Sequence, residues 1–225
     1  MKENIKAVIF DFDYTLADSS KGIIECINYA LRELGLTSVT TEVACETIGL
    51  SLSDTFFKLT GINNTELKES FIRFFVNRAD EIMVEMSYIF ENVPDIIKLL
   101  KTKGIKLGIV STKFRYRIET ILAQHGMSEL FDIIVGVEDV LSPKPDPEGL
   151  KMATERLKLH SADVLYIGDS VTDAETARRA GIAFAAVLSG VTKRDAFLNY
   201  SGCSIHEKLE DVFEWVDPAT NVVKP

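Results

Sequence analysis

The chain has 225 residues, a mean hydropathy of +0.10 and 46% hydrophobic residues, which is enough for one generous domain or a core with a smaller appendage. Its net charge of −9 and pI near 5.0 argue against a nucleic-acid partner, and no apolar stretch approaches the ~20 residues that a bilayer requires. Three widely spaced cysteines and no signal-peptide pattern predict reduced thiols in a cytoplasmic protein without a membrane partner.

Short apolar segments that alternate with helical patterns predict an α/β fold. The predicted strands cover residues 5–10, 105–110, 132–137, 164–167 and 183–188. The last four alternate with predicted helices at 93–103, 114–125, 147–158 and 172–180. This order is typical of a doubly wound parallel sheet, a Rossmann-like core. A short C-terminal helix is predicted over 206–215.

The interval between the first two strands is far longer than an ordinary connection. Its apolar residues recur at helical spacing, as in Ile24, Ile27 and Leu31, and residues 41–60 favour one or two shorter helices interrupted at Gly49. We therefore predict an all-helical cap domain over 17–85, inserted into an α/β core domain formed by 1–16 and 86–225.

The first strand ends in a pair of aspartates within IKAVIFDFDYTL. Asp11 and Asp13 follow the strand directly, and ligands bind at the carboxyl ends of strands in open α/β sheets. Two close carboxylates repel each other unless a cation such as Mg²⁺ offsets them. A metal-bound aspartate can attack phosphorus while its neighbour transfers a proton. The alternative is an ordinary strand-to-loop turn.

Two later segments add a hydroxyl and a cation at strand ends. Ser111 and Thr112 end the run GIVSTK, and strand alternation directs only one of them to a phosphate; the alternative is a helix N-cap. Lys144 lies in the proline-restricted loop LSPKPDPEGL, where it is able to offset carboxylates and bind phosphate, unless it faces solvent.

A third segment, YIGDSVTD, adds two acids after a later strand. Asp169 and Asp173 are four residues apart and share one face if a helix begins at once. A purely structural interpretation makes Asp169 a cap and Asp173 a first-turn acid. Gly168 favours a close backbone approach, which a plain cap does not need.

Together, DFDYTLADS, VSTK, PKPDP and GDSVTD resemble the motifs of the haloacid dehalogenase superfamily of phosphohydrolases, in the same order. The helical insertion is similar to the cap of the phosphoglycolate-phosphatase-like branch. The resemblance implies that Asp11 attacks phosphorus and forms an aspartyl-phosphate, while Asp13 protonates the leaving group and then activates water. Asp13 also counts against the dehalogenase branch itself, which lacks an acid at this position.

The same resemblance implies ligands for the phosphate and the metal. Ser111 and Lys144 hold the phosphoryl oxygens, with Thr112 as the ambiguous neighbour. Mg²⁺ is held by the Asp11 carboxylate, the Asp13 main-chain carbonyl and Asp169, with Asp173 assisting.

Candidate substrate contacts come from one aromatic residue, one cap loop and two arginines. Tyr14 stands where the family usually has glycine, so its ring is a candidate for the cap hinge or the substrate pocket. Gly49, with Ser51 and Ser53, forms the cap loop expected to reach the phosphate pocket. Arg115 and Arg117 follow the serine motif and are candidates for a substrate carboxylate or second phosphate.

These features favour a Mg²⁺-dependent phosphatase for a small phosphorylated metabolite, such as phosphoglycolate or a sugar phosphate, in a monomer or homodimer. A phosphomutase resembling β-phosphoglucomutase and an inorganic pyrophosphatase are alternatives on the same scaffold. An alternative from another class is a receiver domain, which also carries aspartates, a hydroxyl and a lysine on a doubly wound sheet; the helical insertion and Asp13 favour turnover instead.

Overall fold

The computed structural model describes residues 5–213, and no helix in this range is long and apolar enough to cross a membrane. The strands are β1 Ala7–Phe10, β2 Ala17–Asp18, β3 Tyr88–Ile89, β4 Lys106–Val110, β5 Ile133–Val135, β6 Val164–Gly168, β7 Ala183–Val187 and β8 Ser204–His206. The helices are α1 Ser20–Glu33, α2 Thr41–Cys45, α3 Leu52–Thr60, α4 Thr65–Ile82, α5 Val93–Thr102, α6 Arg115–Gln124, α7 Glu148–Arg156, α8 Val171–Ala180, α9 Arg194–Phe197 and α10 Leu209–Val212.

The core is a six-stranded parallel sheet in the order β5-β4-β1-β6-β7-β8. Strand β1 is buried along its whole length because apolar side chains cover both faces of the sheet. Phe10 packs with Leu107 on one face, whereas Ile9 packs with Tyr166 on the other. The predicted doubly wound α/β fold is confirmed.

Strand β8 is a strand of the main sheet that sequence reasoning missed, as it missed the short elements β2, β3 and α9. It pairs with β7 at the edge of the sheet through Ala185–Ser204 and Val187–His206. Its three residues contain a single apolar side chain, so they lack the hydrophobic run that marks the other strands. The predicted helix over 206–215 was therefore wrong at its start; α10 begins at Leu209, and residues 214–215 lie outside the described residues.

Helices α1–α4 form the helical cap. They enclose their own apolar core, in which the rings of Phe56 and Phe71 lie 5.3 Å apart. The predicted interruption near Gly49 is confirmed, since α2 ends at Cys45 and α3 begins at Leu52. Strands β2 and β3 pair antiparallel where the chain leaves and re-enters the core. The exact domain boundaries at 16/17 and 85/86 stay a prediction.

Candidate active site

The sheet topology brings the predicted motifs to one edge. Strand β1 lies between β4 and β6, so Asp11, Ser111 and Asp169 each follow one of three adjacent parallel strands. The Asp11 amide donates a hydrogen bond to the Ile167 carbonyl at 2.8 Å, which extends the pairing of β1 with β6 to Asp11. The expected convergence at the carboxyl ends is what the structure has.

Three of the predicted metal ligands form a tight carboxylate cluster. One oxygen each of Asp11, Asp169 and Asp173 lies within 4.8 Å of the others, and all three side chains are buried. Lys144 Nζ lies 2.9 Å from Asp11 Oδ1, so one lysine faces three buried carboxylates. Clustered carboxylate oxygens are the ligands that a hard divalent cation prefers, so this donor set fits Mg²⁺. The Asp13 carboxylate is not part of the cluster, and the sequence assigned its main-chain carbonyl to the metal instead.

Lys144 provides positive charge at this cluster. Its Nζ lies 2.9 Å from Asp11 Oδ1 and 2.6 Å from Asp173 Oδ1, and the side chain is buried. The lysine sits in a turn in which the Asp146 amide donates to the Pro143 carbonyl, and its peptide bond to Pro145 is cis. Lys144 therefore forms ion pairs with both Asp11, the candidate nucleophile, and Asp173, the acid in the first turn of α8.

Asp173 both caps its helix and lies in the carboxylate cluster. It forms a capping box with Ser170 at the start of α8, in which Ser170 Oγ donates to Asp173 Oδ2 at 2.5 Å. Its other oxygen faces Lys144 and the Tyr166 hydroxyl, 2.8 Å away. Sequence reasoning missed Tyr166, although a tyrosine inside a buried apolar strand needs a hydrogen-bond partner.

Two glycines let backbone approach the acids. A Cβ at Gly168 would lie 2.5 Å from Asp173 Cγ, which agrees with the close approach expected there. A Cβ at Gly190 would lie 1.9 Å from Asp169 Oδ2. Gly190 was missed, and its signal was a glycine shortly after the carboxyl end of a core strand.

Burial dominates the electrostatics of these groups. Desolvation, helped by the Asp173 carboxylate and opposed by Lys144, raises the pKa of Asp11 to about 6. Desolvation and the neighbouring carboxylates raise the pKa of Asp169 well above its usual value. Burial alone would lower the pKa of Lys144, but Asp11 and Asp173 outweigh it and raise that pKa. The lysine is therefore charged, and the carboxylates need a further cation to be ionised together.

Asp13 points to a different partner. Its carboxylate forms a buried ion pair with Lys113, with Nζ 3.1 Å from the nearest oxygens. Both residues line a cavity of about 250 Å³ between the cap and the core. Sequence reasoning missed Lys113, the last residue of VSTK; its signal was a position next to two residues already assigned to the site.

The two neighbouring hydroxyl residues, Ser111 and Thr112, line different surfaces. Thr112 lines the cavity beside Lys113, whereas Ser111 lines a smaller recess together with Lys144. Ser111 Oγ accepts a hydrogen bond from the Lys113 amide at 3.3 Å. The serine is thus the hydroxyl on the Lys144 side, and the threonine is the one on the cavity side.

The cap loop with Gly49 reaches the core, and its contact with a phosphate stays a prediction. Gly49 lines the cavity, and a Cβ placed on it would lie 3.6 Å from Ser170 Oγ. Tyr14 contacts the cap rather than the cavity. Its backbone has a φ of 60°, and its hydroxyl donates a hydrogen bond to Cys45 Sγ on α2 at 3.4 Å. Tyr14 is not among the described residues that line the cavity.

The two arginines after the serine motif have different surroundings. Arg115 pairs with Asp139 at 2.9 Å and lies outside the described cavity lining, so its substrate contact stays a prediction. Arg117 does line the cavity, but its Nη2 pairs with Asp80 of α4 at 2.7 Å and donates to the Val76 carbonyl. Arg117 therefore connects the core to the cap.

Comparisons with known proteins agree with this architecture. Residues 8–187 match the family model for haloacid dehalogenase-like hydrolases. The pyrophosphatase PpaX of Bacillus cereus is 33% identical over 209 residues, covering 92% of this chain and 94% of that protein. A solved structure from Bacteroides fragilis, provisionally named a haloacid dehalogenase-like hydrolase, is 43% identical with a TM-score of 0.90, covering 92% of this chain and 99% of that one.

A further solved structure, from Lactobacillus plantarum and provisionally named a phosphoglycolate phosphatase, shares the fold at 21% identity with a TM-score of 0.83, covering 94% of this chain and 99% of that one. The family match spans most of the chain and includes the Asp11, Ser111, Lys144 and Asp169 positions. The chain therefore belongs to the haloacid dehalogenase-like hydrolase family.

Proposed function

We propose that the protein is a Mg²⁺-dependent phosphatase that hydrolyses a small phosphate monoester through an aspartyl-phosphate on Asp11. The observation that carries the proposal is the position of the Asp11 carboxylate, which lies between the Lys144 ammonium and two further buried acids. Phosphoryl transfer depends mainly on positioning and charge neutralisation, and this edge of the sheet provides both.

In the first step, an oxygen of Asp11 attacks phosphorus and the bond to the leaving oxygen breaks. Asp13, which faces the cavity, acts in its protonated form as the general acid and gives its proton to that oxygen. Ser111 and Lys144 hold phosphoryl oxygens on one side and Thr112 on the other. Mg²⁺, held by Asp11, the Asp13 carbonyl, Asp169 and Asp173, would neutralise charge on the phosphoryl group.

In the second step, Asp13 takes a proton from water as the water attacks phosphorus, and Asp11 is released. Closure of the cap excludes other water while the first step occurs. The Gly49 loop beside Ser170 and the Arg117–Asp80 pair are consistent with a cap held against the core.

The test is release of inorganic phosphate from p-nitrophenyl phosphate and from a panel of phosphorylated metabolites, with Mg²⁺ or with EDTA. We expect turnover only with Mg²⁺, and a loss of at least about 1,000-fold in Asp11→Asn because the nucleophile is removed. Asp95→Asn, an exposed acid at the start of α5, is the matched control. Equal phosphate release by Asp11→Asn would refute the proposal.

Pyrophosphate belongs in the same panel because PpaX, at 33% identity, is named a pyrophosphatase. Detection of an isomeric phosphate ester instead of free phosphate would identify a phosphomutase.

A further inference from the structure

The cavity beside Asp13 is divided by charge. Its charged lining residues, Asp13, Lys113 and Arg117, all come from the core. Within residues 5–213, every lining residue that the cap contributes is uncharged. Most of those cap residues are aliphatic or aromatic, including Ile23, Ile48, Leu50, Leu52, Ile72 and Phe75.

The two cations of the lining are already engaged. Lys113 lies 3.1 Å from the Asp13 carboxylate. Arg117 bonds Asp80 and a main-chain carbonyl of α4, and its guanidinium lies over the ring of Phe114 at 4.9 Å. A second anionic group in the cavity would therefore have to share Lys113 with Asp13 or compete with Asp80 for Arg117.

Some of the cap hydroxyls are engaged as well. Thr47 Oγ1 donates to the Ala44 carbonyl at 2.7 Å, and Ser51 Oγ donates to Asp54 at 2.6 Å. These bonds lie within the cap and stabilise the loop that carries Gly49. The wall opposite Asp13 therefore presents mainly carbon to whatever leaves from phosphorus.

From this division we infer that the preferred substrate is a phosphate monoester whose leaving group is uncharged and mostly apolar. The inference rests on the proposed phosphatase function and narrows it. Asp13 is at the boundary between the phosphoryl site and the cavity, so the leaving group extends from Asp13 toward the cap. A carboxylate or second phosphate placed against the cap is desolvated beside uncharged residues, and it competes with Asp13 and Asp80 for the two cations of the lining, which opposes its binding. A carbon chain of suitable length instead buries apolar surface against the cap.

The cavity volume sets the size of this group. About 250 Å³ is slightly below the ~300–1,000 Å³ typical of ligand sites, so it suits a group of a few carbon atoms or one ring. The selectivity therefore differs from the substrates that the names of PpaX and the Lactobacillus plantarum structure indicate for those proteins, pyrophosphate and phosphoglycolate.

The test compares kcat/KM for ethyl phosphate and 2-phosphoglycolate, which differ in having a methyl or a carboxylate at the same position. We expect ethyl phosphate to be preferred by about tenfold or more, since the carboxylate loses its hydration against the uncharged cap wall. Along methyl, ethyl, propyl and butyl phosphate, kcat/KM is expected to rise about fourfold per methylene until the cavity is full.

A matched pair of variants tests the cavity wall directly. Ile72→Lys places an ammonium in the lining, whereas Asn77→Lys places one on an exposed position of the same helix. Ile72→Lys is expected to shift the ratio of the two substrates toward phosphoglycolate by about tenfold or more, and Asn77→Lys to leave it unchanged. If Ile72→Lys does not fold, the wild-type ratio decides.

The outcomes separate the two proposals. Turnover of p-nitrophenyl phosphate together with a preference for phosphoglycolate or pyrophosphate over the alkyl esters overturns the leaving-group inference and leaves the phosphatase function standing. Failure to hydrolyse any phosphate ester overturns both. A preference for the alkyl series, with its dependence on chain length, supports both.

Discussion

Gly190→Ala tests whether the backbone after β7 sets the position of Asp169. Alanine is compatible with the backbone here, since Gly190 is not among the described glycines with positive φ. Its Cβ, however, would lie 1.9 Å from Asp169 Oδ2, although real Cβ contacts are essentially never shorter than 3.0 Å. The carboxylate must therefore move by more than about 1 Å. A displacement of that size costs about 100-fold in rate, or about 2.7 kcal/mol of transition-state stabilisation.

The assay is phosphate release at a series of Mg²⁺ concentrations, together with a thermal melt. Gly190→Ala is expected to lower kcat/KM about 100-fold and to raise the Mg²⁺ concentration needed for half-maximal rate, with a small change in Tm. Gly61→Ala is the matched control, because Gly61 has a φ of 67° and open space around it. It should lower stability by about 1 kcal/mol and leave the rate unchanged. Wild-type kinetics in Gly190→Ala would refute this account of Asp169.

Two further predictions concern stability. Arg117→Met removes three hydrogen bonds to α4, two to the Asp80 carboxylate and one to the Val76 carbonyl. It should lower the free energy of unfolding, measured in urea, by about 2–3 kcal/mol. A loss below about 1 kcal/mol would contradict a link between cap and core at Arg117. The second concerns pH: because the folded pKa of Asp11 is about 6, above its ordinary 3.8, the folded protein binds more protons than the unfolded chain between these values. Its stability without metal should therefore fall as pH rises from about 4 to 6, by up to about 3 kcal/mol relative to Asp11→Asn. Urea unfolding in EDTA at several pH values measures this difference, and a difference that grows in favour of the wild type as pH rises would contradict it.

The cluster of acids at the carboxyl ends of the strands was predictable because the order of parallel strands constrains which residues meet there. Once β1 and β6 are recognised as buried parallel strands, Asp11 and Asp169 must follow adjacent strands at one edge. The proline-rich loop had only to place Lys144 above that edge, and the need to offset buried carboxylates favoured a lysine there. The same logic explains why the four core helices that alternate with the strands, α5–α8, were predicted within a residue or two of their observed bounds.

The cavity was not predictable in the same way. Its lining depends on how α1, α3 and α4 are rotated about their axes and where the cap rests on the core, and apolar periodicity identifies a buried face without identifying what covers it. The ion pair between Lys113 and Asp13 forms only when the segment after β4 and the segment after β1 are both in place, so neither segment alone predicts it. Tyr14 departs from the family's usual glycine yet keeps a positive φ, and its burial against α2 offsets the cost of that conformation.

The charged residues of the proposed reaction site and the uncharged cap residues that line the cavity form two separate groups. Lys144 contacts both Asp11 and Asp173, and Asp173 in turn caps α8, so a change at any of these positions disturbs the others. In the part of the chain that the structure describes, the cap residues that line the cavity form no hydrogen bond or ion pair with Lys144, Asp11 or Asp173, and the Gly49 loop lies beside Ser170. On the proposed function, we expect substitutions in the cap to alter the leaving group that is accepted without changing how phosphorus is attacked, and Ile72→Lys tests this separation.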